Sequence, residues 1–473
     1  MEETDAVSER AEQPQQEGLR RFRRYSEYKD SGVEWLEEIP VHWEPRRLKA
    51  LGTVQLSNVD KRSVEGQVPV GLCNYTDVYY NERITSQLEF MQATATPDQV
   101  RRFSLRQDDV LITKDSESWD DIAVPAVVAE GLPEVLCGYH LAQIRPGRDI
   151  HGPYLARLFS AIGPRDQLHV AANGITRFGL GSDAIRTAVF PLPPEDEQRA
   201  IAAFLDRETA KIDELVARKE RLIGLLQEKR AALITRAVTR SLDPDVRIKD
   251  SGVEWLGKIP AHWEVKRLRH VVTRVEQGWS PDCENREASE DEWGVLKAGC
   301  VNRGTFLASE HKALPEILKP IAELEVRADD LLMSRASGSR DLVGSVALVP
   351  RCRPRLLLCD KVFRLHVNPD QGHKPLLAYA LNSRLARWQI EGALSGGSGL
   401  ANNIAQGVVK DLVVTTPPLE EQRAIAAFLD RETAKIDGLV AKVREAIDRL
   451  EDFRAALISA AVTGRIDVRE STV

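Results

Sequence analysis

"EQRAIAAFLDRETAKID" spans residues 197–213 and occurs again, letter for letter, at residues 421–437. A second stretch, "KDSGVEWLEEIPVHW" at residues 29–43, returns as "KDSGVEWLGKIPAHW" at residues 249–263. The two segments recur in the same order, 224 and 220 positions apart. The chain is therefore interpreted as a tandem duplication. Its unit is far longer than the repeats of solenoid proteins, so each copy is expected to hold a domain and an appendage.

The appendage is predicted to be a long amphipathic helix. Apolar residues recur after the first "EQRA" at gaps of threes, fours and sevens, which is the spacing of one helical face. They are Ile201, Leu205, Ile212, Leu215, Leu222, Leu226 and Leu233. The second copy repeats the pattern at Ile425, Leu429, Ile436, Leu439, Val443, Ile447, Leu450 and Leu457. Pro193 and Pro194 precede the first helix and three acids follow them, which is typical of a helix start.

Each helix is predicted to span about 40 residues, or roughly 60 Å. A helix of that length with a single apolar stripe has to bury the stripe against something. Its twin is the predicted partner, so that the two helices form a rod. The alternative is that each helix packs on its own domain.

Two blocks between the repeated segments, residues 44–190 and 264–415, are predicted to be mixed α/β. Short apolar runs such as "DVLITK", "VGSVALV" and "KVFRLHV" are strand-like, whereas "HGPYLARLFSAI" and "KPLLAYALNSRLARW" are typical of helices. Their interiors correspond only faintly, as in "LRQDDVLITKDSES" (105–118) and "VRADDLLMSRASGS" (326–339). The repeated segments are similar in both copies, whereas the two blocks between them have diverged. This pattern favours a protein that recognises two different targets at a set spacing.

The repeated opening motif is predicted to pack at the junction of each domain with its helix. In the first copy this concerns Trp35, Ile39, Pro40 and Trp43, and in the second Trp255, Ile259, Pro260 and Trp263. Stacking of these tryptophans on DNA is the alternative.

The charge is unevenly distributed along the chain. The formal net charge is −7, but residues 1–18 hold six acids and one arginine, which leaves −2 for the remainder. Residues 1–27 are predicted to be a disordered N-terminal extension, with "LRRFRRY" as a solvated basic run. No apolar run is long enough to span a bilayer and no signal peptide opens the chain, so a cytoplasmic protein is expected. The six cysteines form no C-x-x-C pair, which argues against a zinc site or a disulfide framework.

Several of these motifs together resemble the specificity subunit of type I restriction-modification systems. They are "YKDSGVEWL..IP.HW", "DDLLMSRASGS", "PPLEEQRAIAAFLDRETAKID" and the closing "AAVTGRIDV". The resemblance covers nearly the whole chain from Tyr28 onward, and the duplicated combination is far more specific than any single piece.

The resemblance implies an α/β (α+β) fold with pseudo-two-fold internal duplication. Two mixed α/β target-recognition domains are separated by two long α-helices packed as an antiparallel coiled coil. The implied boundaries are an extension at 1–27, the first domain at 28–192, the central long helix at 193–240, a linker and the second domain at 241–415, the C-terminal long helix at 416–464 and a tail at 465–473.

The resemblance also implies the role and the partners. Each domain would read one half of a bipartite, asymmetric site in double-stranded DNA, while the helices set the spacing and dock two modification (methyltransferase) subunits. Restriction subunits would add ATP-driven translocation and cleavage. The chain itself would have no catalytic centre and no cofactor, because S-adenosylmethionine, ATP and Mg are expected on the partner subunits. No membrane partner is implied.

Candidate DNA-contacting residues are polar, basic or aromatic and lie in loops near strand ends, since base edges are read by such groups. In the second block they are Lys297, Asn302, Arg303, Arg335, Ser337, Ser339, Arg340, Asn402 and Asn403. "SRASGSRD" is favoured among them, because a glycine-containing loop with two guanidinium groups follows a predicted strand; a solvated turn is the alternative.

In the first block the candidates are Tyr79, Tyr80, Arg83, Lys114, Ser116, Ser118, Trp119 and Arg177. The loop "KDSESWDD" is acidic, which argues against close contact with phosphates. For every candidate, an ordinary loop or core role is the alternative.

Three rival functions remain open at this point. An enzyme is disfavoured because no Walker A loop, no H-E-x-x-H and no Asn-Pro-Pro-aromatic motif is present, and Asp329 and Asp330 are better interpreted as a turn before a strand. A coiled-coil scaffold that does not bind DNA would explain the helices but not two diverged domains. The recognition subunit of a related type II-like restriction-modification enzyme has the same architecture, and the sequence does not discriminate it.

Overall fold

Each copy of "EQRAIAAFLDRETAKID" lies at the start of a long helix. The central long helix is Glu195–Thr239 (45 residues) and the C-terminal long helix is Leu419–Val462 (44 residues). The predicted long helices are confirmed, and at 1.5 Å per residue each is about 66 Å long. Pro193 and Pro194 stand just before the first helix, and Glu195, Asp196 and Glu197 form its acidic first turn.

The computed structural model describes residues 19–394 and 402–469. The polar tail at 1–18, which was predicted to be disordered, lies outside these residues. The chain divides into two compact units. The first unit contains residues 1–219 and 444–473, and the second contains residues 220–443. The predicted mixed α/β class is confirmed in both.

The first unit contains a five-stranded and a four-stranded sheet. The larger has the order Gly52–Leu56, Leu141–Pro146, Val110–Thr113, Pro125–Val128, Arg83–Ile84, and the smaller has Met91–Ala95, Val68–Cys73, Leu132–Cys137, Ser104–Leu105. Two-stranded pairs are Tyr28–Asp30 with Glu38–Pro40, Glu44–Arg47 with Val189–Leu192, and Asp115–Ser116 with Phe178–Gly179. Shorter helices are Leu48–Leu51, Tyr75–Tyr79, Pro97–Phe103, Gly152–Ser160, Ile162–Ala171 and Ser182–Thr187.

The second unit contains a four-stranded and a three-stranded sheet. Their orders are Val272–Gln277, Val362–Val367, Leu331–Ser334, Val346–Leu348 and His311–Ala313, Gly294–Leu296, Leu356–Leu357. Two-stranded pairs are Ile248–Asp250 with Lys258–Pro260, Glu264–Arg267 with Val413–Thr416, Val301–Asn302 with Thr305–Phe306, and Ala336–Ser337 with Asn402–Asn403. Shorter α-helices are Lys374–Leu381, Arg384–Ala393 and Gln406–Asp411.

Both long helices contribute to the core of each unit. In the first unit, Ile212 near the start of the central helix lies in one apolar cluster with Leu457 near the end of the C-terminal helix. In the second unit, Ile234 near the end of the central helix shares a cluster with Ile425 near the start of the C-terminal helix.

In each unit an ion pair also joins the two long helices. Asp213 accepts from Arg454 at 2.9 Å in the first unit, and Asp437 accepts from Arg230 at 3.0 Å in the second.

The predicted apolar stripe is wrong at three positions. Leu215, Leu222 and Leu439 are 45%, 44% and 51% exposed. They lie toward the middle of the helices, away from the clusters formed with the sheets. A helix that faces only one neighbouring helix buries a narrower stripe than one that packs on a domain, so these positions stay outside it.

The repeated opening motif forms the same packed junction in both units, as predicted. Trp43 and Trp263 are completely buried, so their rings are not available to stack on DNA. His42 contacts Glu197 at 2.8 Å, and His262 contacts Glu421 at 2.7 Å. The first glutamate of each identical segment is thus tied to the histidine of the repeated motif.

Residues 19–27, predicted to belong to a disordered extension, are packed against the first unit. Tyr25 is buried, and its hydroxyl donates to Glu197. Leu19 and Phe22 pack on the same apolar cluster, and the backbone of Arg23 bridges to Asp467. The prediction was wrong here because the aromatic residues of "LRRFRRY" find partners that are distant in sequence.

Replacing Gly464 with alanine is expected to destabilise the first unit by about 1–3 kcal/mol. Gly464 has a φ of +75°, and an added Cβ would lie 2.4 Å from Cδ of Pro40. Gly438→Ala is the matched control, because that glycine lies in the C-terminal long helix with no atom within 4 Å of its added Cβ. The control is expected to stabilise the chain by up to about 1 kcal/mol. Thermal unfolding of both variants measures the difference, and a Gly464→Ala variant as stable as the parent would contradict the strain.

Candidate nucleic-acid interface

The loop "KDSESWDD" of the first unit follows a fully buried strand, Val110–Thr113. Asp115–Ser116 then pairs antiparallel with Phe178–Gly179, which brings Arg177 beside the loop. The guanidinium of Arg177 donates to Asp115 at 2.8 Å, and Nδ1 of His140 lies 2.6 Å from the same carboxylate oxygen. Two predicted candidates that are about 60 residues apart in sequence, Lys114 and Arg177, therefore belong to one surface.

Aromatic side chains from the helix Tyr75–Tyr79 border this surface. The hydroxyl of Tyr79 donates to Asp121 at 2.7 Å, and this hydrogen bond raises the pKa of Tyr79 to about 12. Tyr75 stacks on Tyr79 with ring centroids 5.4 Å apart, while Tyr80 is 76% exposed. Tyr80 follows the helix and packs edge-to-face on Tyr79 at a centroid distance of 5.0 Å, but its exposure makes it the tyrosine most open to a ligand.

The amine of Lys114 lies 4.4 Å from the ring centroid of Tyr139. Partial burial lowers the pKa of this lysine. Tyr139 and His140 were not predicted as site residues. No motif marks them, because they simply connect the strands Leu132–Cys137 and Leu141–Pro146.

Three acids of the loop, Asp115, Asp120 and Asp121, have partners within the protein, while Glu117 is exposed. Asp121 accepts from Tyr79, and Asp120 accepts from the hydroxyl of Ser118. Ser116 is buried and lies 3.4 Å from the hydroxyl of Tyr75, so it supports the loop rather than faces solvent. Trp119 is about half exposed and contacts the edge of His169 at 5.3 Å.

Arg83 does not belong to this surface. It pairs with Asp206 of the central long helix. Arg157 bridges the same Asp206 and Glu82 at 2.9 Å each, and Glu82 also receives Arg454 of the C-terminal long helix. Arg83 is therefore part of an ion-pair network at the domain–helix junction of the first unit.

The second unit repeats the strand-to-loop arrangement with different side chains. The buried strand Leu331–Ser334 leads into "RASGSR", where Ala336–Ser337 pairs with Asn402–Asn403. The predicted candidates that come together here are Arg335, Ser337, Ser339, Arg340, Asn402 and Asn403.

Both arginines of this loop are held by the protein. The guanidinium of Arg335 lies 5.9 Å from the ring centroid of Phe363 and donates to the carbonyl of Asp360 at 3.1 Å. Arg340 donates to the carbonyl of Glu391 at 3.2 Å. Carbonyl partners leave the charge of each guanidinium uncompensated, so both remain able to attract an anionic or acceptor-rich ligand.

Of the other candidates of the second unit, Lys297 and Arg303 each line a cavity. Lys297 follows the strand Gly294–Leu296 and lines a cavity of about 270 Å³. Asn302 and Arg303 form a tight hairpin, in which Arg303 has a φ of +46°. Arg303 lines a separate cleft of about 550 Å³ with Arg230 and Asp430 of the long helices, so it is not grouped with the "RASGSR" loop.

A buried ion pair lies at the start of the strand that leads into each loop, at the end opposite the loop. In the first unit, Asp109 is paired with Arg145 at 3.0 Å. In the second, Arg364 pairs with Glu276 at 2.7 Å and with Asp330 at 3.0 Å. Asp330 directly precedes the strand Leu331–Ser334, as predicted, and serves that network.

Within the described ranges, no three or more His, Cys, Asp or Glu side chains are grouped so that they could hold a metal ion. Over those residues, no helix has the length and apolar character needed to cross a membrane.

The chain is similar to several curated type I restriction enzyme specificity subunits. It is 26% identical to the EcoEI specificity subunit of Escherichia coli over 242 residues, which are 51% of this chain and 40% of that protein. It is 23% identical to the putative MjaX specificity subunit of Methanocaldococcus jannaschii over 448 residues, 93% of this chain and 98% of that one. The StySPI specificity subunit of Salmonella potsdam is 23% identical over 360 residues, 76% of this chain and 75% of that protein. The resemblance predicted from the sequence is thereby confirmed.

A solved structure has the same fold. A chain from a study of complex assembly and conformational transition of the type I R-M system superposes with a TM-score of 0.63 at 19% sequence identity. The superposition covers 90% of this chain and 98% of that chain. No family model matches the sequence.

Proposed function

We propose that this chain is the DNA sequence-specificity subunit of a type I restriction-modification complex. The observation that carries the proposal is its similarity to specificity subunits over as much as 93% of its length. The two diverged loop surfaces on repeated frames give that similarity a physical meaning, because each can present a different set of groups to base edges.

Each unit is proposed to recognise one half of a bipartite DNA site. The first surface offers Tyr80, Trp119, Lys114 and Arg177, and the second offers two guanidinium groups with serine and asparagine side chains. Arginine and asparagine are suited to bidentate contacts with guanine and adenine in the major groove. Two surfaces of such different composition favour an asymmetric site.

The two long helices are proposed to pack antiparallel as a coiled coil within a pseudo-two-fold molecule. Three observations support this arrangement. The start of the central helix shares an apolar cluster with the end of the C-terminal helix. The end of the central helix shares another cluster with the start of the C-terminal helix. The ion pairs Asp213–Arg454 and Arg230–Asp437 follow the same order. The identical segments carry equivalent contacts to His42 and His262.

The partners are proposed to be double-stranded DNA, two methyltransferase subunits and the restriction subunits. Docking of the methyltransferase subunits on the long helices fits the exposed leucines Leu215, Leu222 and Leu439, which leave apolar surface outside the pair. The chain is proposed to choose the site and to leave the chemistry, with its S-adenosylmethionine, ATP and Mg, to those partners.

Methylation mapping tests this function. The chain is expressed with its methyltransferase partner in a host that lacks adenine methylation, and the genome is sequenced with detection of modified bases. A split motif methylated on both strands, and absent when this chain is omitted, is the expected result. If the assembled complex forms but leaves the genome unmethylated, the specificity role is lost and a scaffold role gains weight.

The double substitution Arg335→Ala with Arg340→Ala is expected to relax one half-site only. Each bidentate base contact contributes about 1–3 kcal/mol of discrimination between bases. The half-site assigned to the second unit should therefore accept other bases, while the half-site assigned to the first unit keeps its sequence. The same mapping experiment measures it. Arg353→Ala is the control, since its guanidinium donates to the backbone carbonyls of residues 288–292 away from the loop. Equal relaxation of both half-sites would contradict the assignment.

A further inference from the structure

One cavity of the second unit is lined by three lysines. It has a volume of about 270 Å³ and lies where strand ends of the two sheets meet. Lys297 follows the strand Gly294–Leu296, Lys312 belongs to the neighbouring strand, and Lys361 precedes the strand Val362–Val367. Ser280, Asp282 and Cys283 complete its outer wall.

Backbone contacts fix the walls of this cavity. The segment that carries Ser280 begins at Gly278, where an added Cβ would lie 2.0 Å from the carbonyl oxygen of Leu358. The N–H of Trp279 donates to that same carbonyl at 3.0 Å. Only glycine fits at position 278, because any side chain there would collide with the carbonyl of Leu358. The wall that begins at Gly278 is therefore held in a fixed position.

The lining has an excess of positive charge. No carboxylate within residues 19–394 and 402–469 forms an ion pair with Lys312 or Lys361, while Lys297 has a long pair with Glu310 at 3.5 Å. Asp282 is the acid on the wall. Ammonium groups of lysines that line one cavity repel each other, and an anion between them relieves that repulsion.

The cavity is coupled directly to the recognition loop. The carbonyl of Lys361 accepts the backbone N–H of Arg335 at 2.8 Å and that of Ala336 at 3.3 Å. An anion bound beside Lys361 would therefore fix the register of the loop whose side chains face the bases.

We propose that the cavity lined by Lys297, Lys312 and Lys361 holds a phosphate of the DNA backbone and thereby positions the "RASGSR" loop. This inference rests on the proposed DNA-recognition function and adds a site to it. Lysine ammonium groups are point-charge donors suited to phosphate, and phosphate contacts orient a protein on the duplex without reading its sequence.

At the equivalent place of the first unit, two backbone segments approach each other closely. The strand Val68–Cys73 pairs parallel with Leu132–Cys137, just as Gly294–Leu296 pairs parallel with Leu356–Leu357. There, however, Asn74 caps the helix Tyr75–Tyr79, and an added Cβ on Gly138 would lie 2.6 Å from the carbonyl oxygen of Cys73. We therefore assign the lysine anchor to the second unit alone.

The salt dependence of DNA binding tests the proposal. The probe is a duplex carrying the methylated motif, and the protein is the full chain in complex with its methyltransferase partner. Since each phosphate contact contributes a slope of about −0.9 to log K against log salt, the variant Lys312→Gln/Lys361→Gln should bind with a slope shallower by about 1. The control Lys258→Gln/Lys319→Gln removes two exposed lysines elsewhere in the same unit and should keep the parental slope. The control should methylate the parental motif, and both variants should keep the half-site that is assigned to the first unit.

The outcomes separate this site from the function it rests on. An unchanged slope in the Lys312→Gln/Lys361→Gln variant, with DNA still bound, overturns the phosphate site and leaves the specificity role intact. Absence of binding by the parent complex overturns both. A change in the half-site that is assigned to the first unit also overturns the site, because the cavity contacts the "RASGSR" loop of the second unit.

Thiol labelling gives a second readout that does not depend on affinity. Cys283 lines the cavity and is half-buried, whereas Cys352 is half-buried outside its lining. Bound DNA is expected to slow maleimide modification of Cys283 several-fold and to leave Cys352 unchanged. Equal rates for Cys283 with and without saturating DNA would overturn the placement.

Discussion

Arg364→Ala is expected to destabilise the second unit by about 3–5 kcal/mol, which is enough to unfold a marginal domain. The Arg364 side chain is 7% exposed and pairs with Glu276, itself 9% exposed, and with Asp330. It also donates to the carbonyls of Glu323 and Glu325 at 2.8 Å each. Its removal leaves a buried carboxylate without its main counter-charge, and that desolvation cost is what makes the loss large.

The effect is local, so it is best measured by hydrogen exchange. Amides of the strands Leu331–Ser334 and Val362–Val367 are expected to lose protection, while those of the first unit keep it. Arg274→Ala is the matched control, because Arg274 pairs with the same Glu276 from an exposed position. Exposed pairs contribute only about 0–1 kcal/mol, so the control should lose little.

Neutralising the carboxylates checks the cause. If uncompensated charge explains the loss, then adding Glu276→Gln and Asp330→Asn to Arg364→Ala should recover part of the protection. A triple variant as unstable as the single one would show that the lost hydrogen bonds to backbone carbonyls, not the charge, dominate.

The elements that the sequence predicted are those set by local patterns. The long helices follow from the spacing of apolar residues, and strands such as Val110–Thr113 and Val362–Val367 follow from short β-branched runs. The loop "RASGSR" lies directly after a strand, as the glycine and serine content indicated. Local periodicity sufficed because these features depend on neighbours along the chain.

The sequence did not predict contacts between residues that are distant along the chain. Arg83 was a candidate for DNA contact because it is a basic residue after a tyrosine-rich stretch, but it pairs with Asp206, 123 residues away. Tyr25 looked like part of a solvated tail, yet its hydroxyl is bound by Glu197, 172 residues away. No pattern within a window of sequence reports such partners, since only the fold brings them together.

The cavity lysines show the same limit for the candidate site. Lys297 was predicted from its own loop, but Lys312 and Lys361 were not, because each looks like an ordinary polar residue beside a strand. Their importance appears only when two sheets bring their ends together around one space. Electrostatic sites built from several strands are thus the part that sequence patterns leave out.

Lengthening both long helices by seven residues is expected to change the spacer of the DNA motif and leave both half-sites unchanged. The insertions repeat residues 216–222 and 440–446, close to where the chain divides into its two units. Seven residues lengthen a helix by about 10 Å. They make almost two full turns, falling short by only about 20°, so the apolar stripe stays nearly in register.

The expected size of the change follows from the geometry of DNA. Ten ångströms correspond to at most about three base pairs at 3.4 Å each. Each added base pair also rotates one half-site about the duplex by roughly 34°, because a turn contains about 10.5 base pairs. A rigid connection between the two units resists this rotation of one half-site relative to the other. We therefore expect a spacer longer by about one to three base pairs.

Methylation mapping of the lengthened chain measures the spacer directly. Insertion into the central helix alone is the control, because it shifts Ile212 against Leu457 or Ile234 against Ile425 and so disrupts a shared apolar cluster. That variant is expected to lose methylation rather than shift the motif. If the doubly lengthened chain kept the original spacer, the helices would not set the distance. If its half-sites changed sequence, base recognition would depend on the helices as well as on the loops. The proposal that the helices set the spacer and the loops recognise the bases would then be wrong.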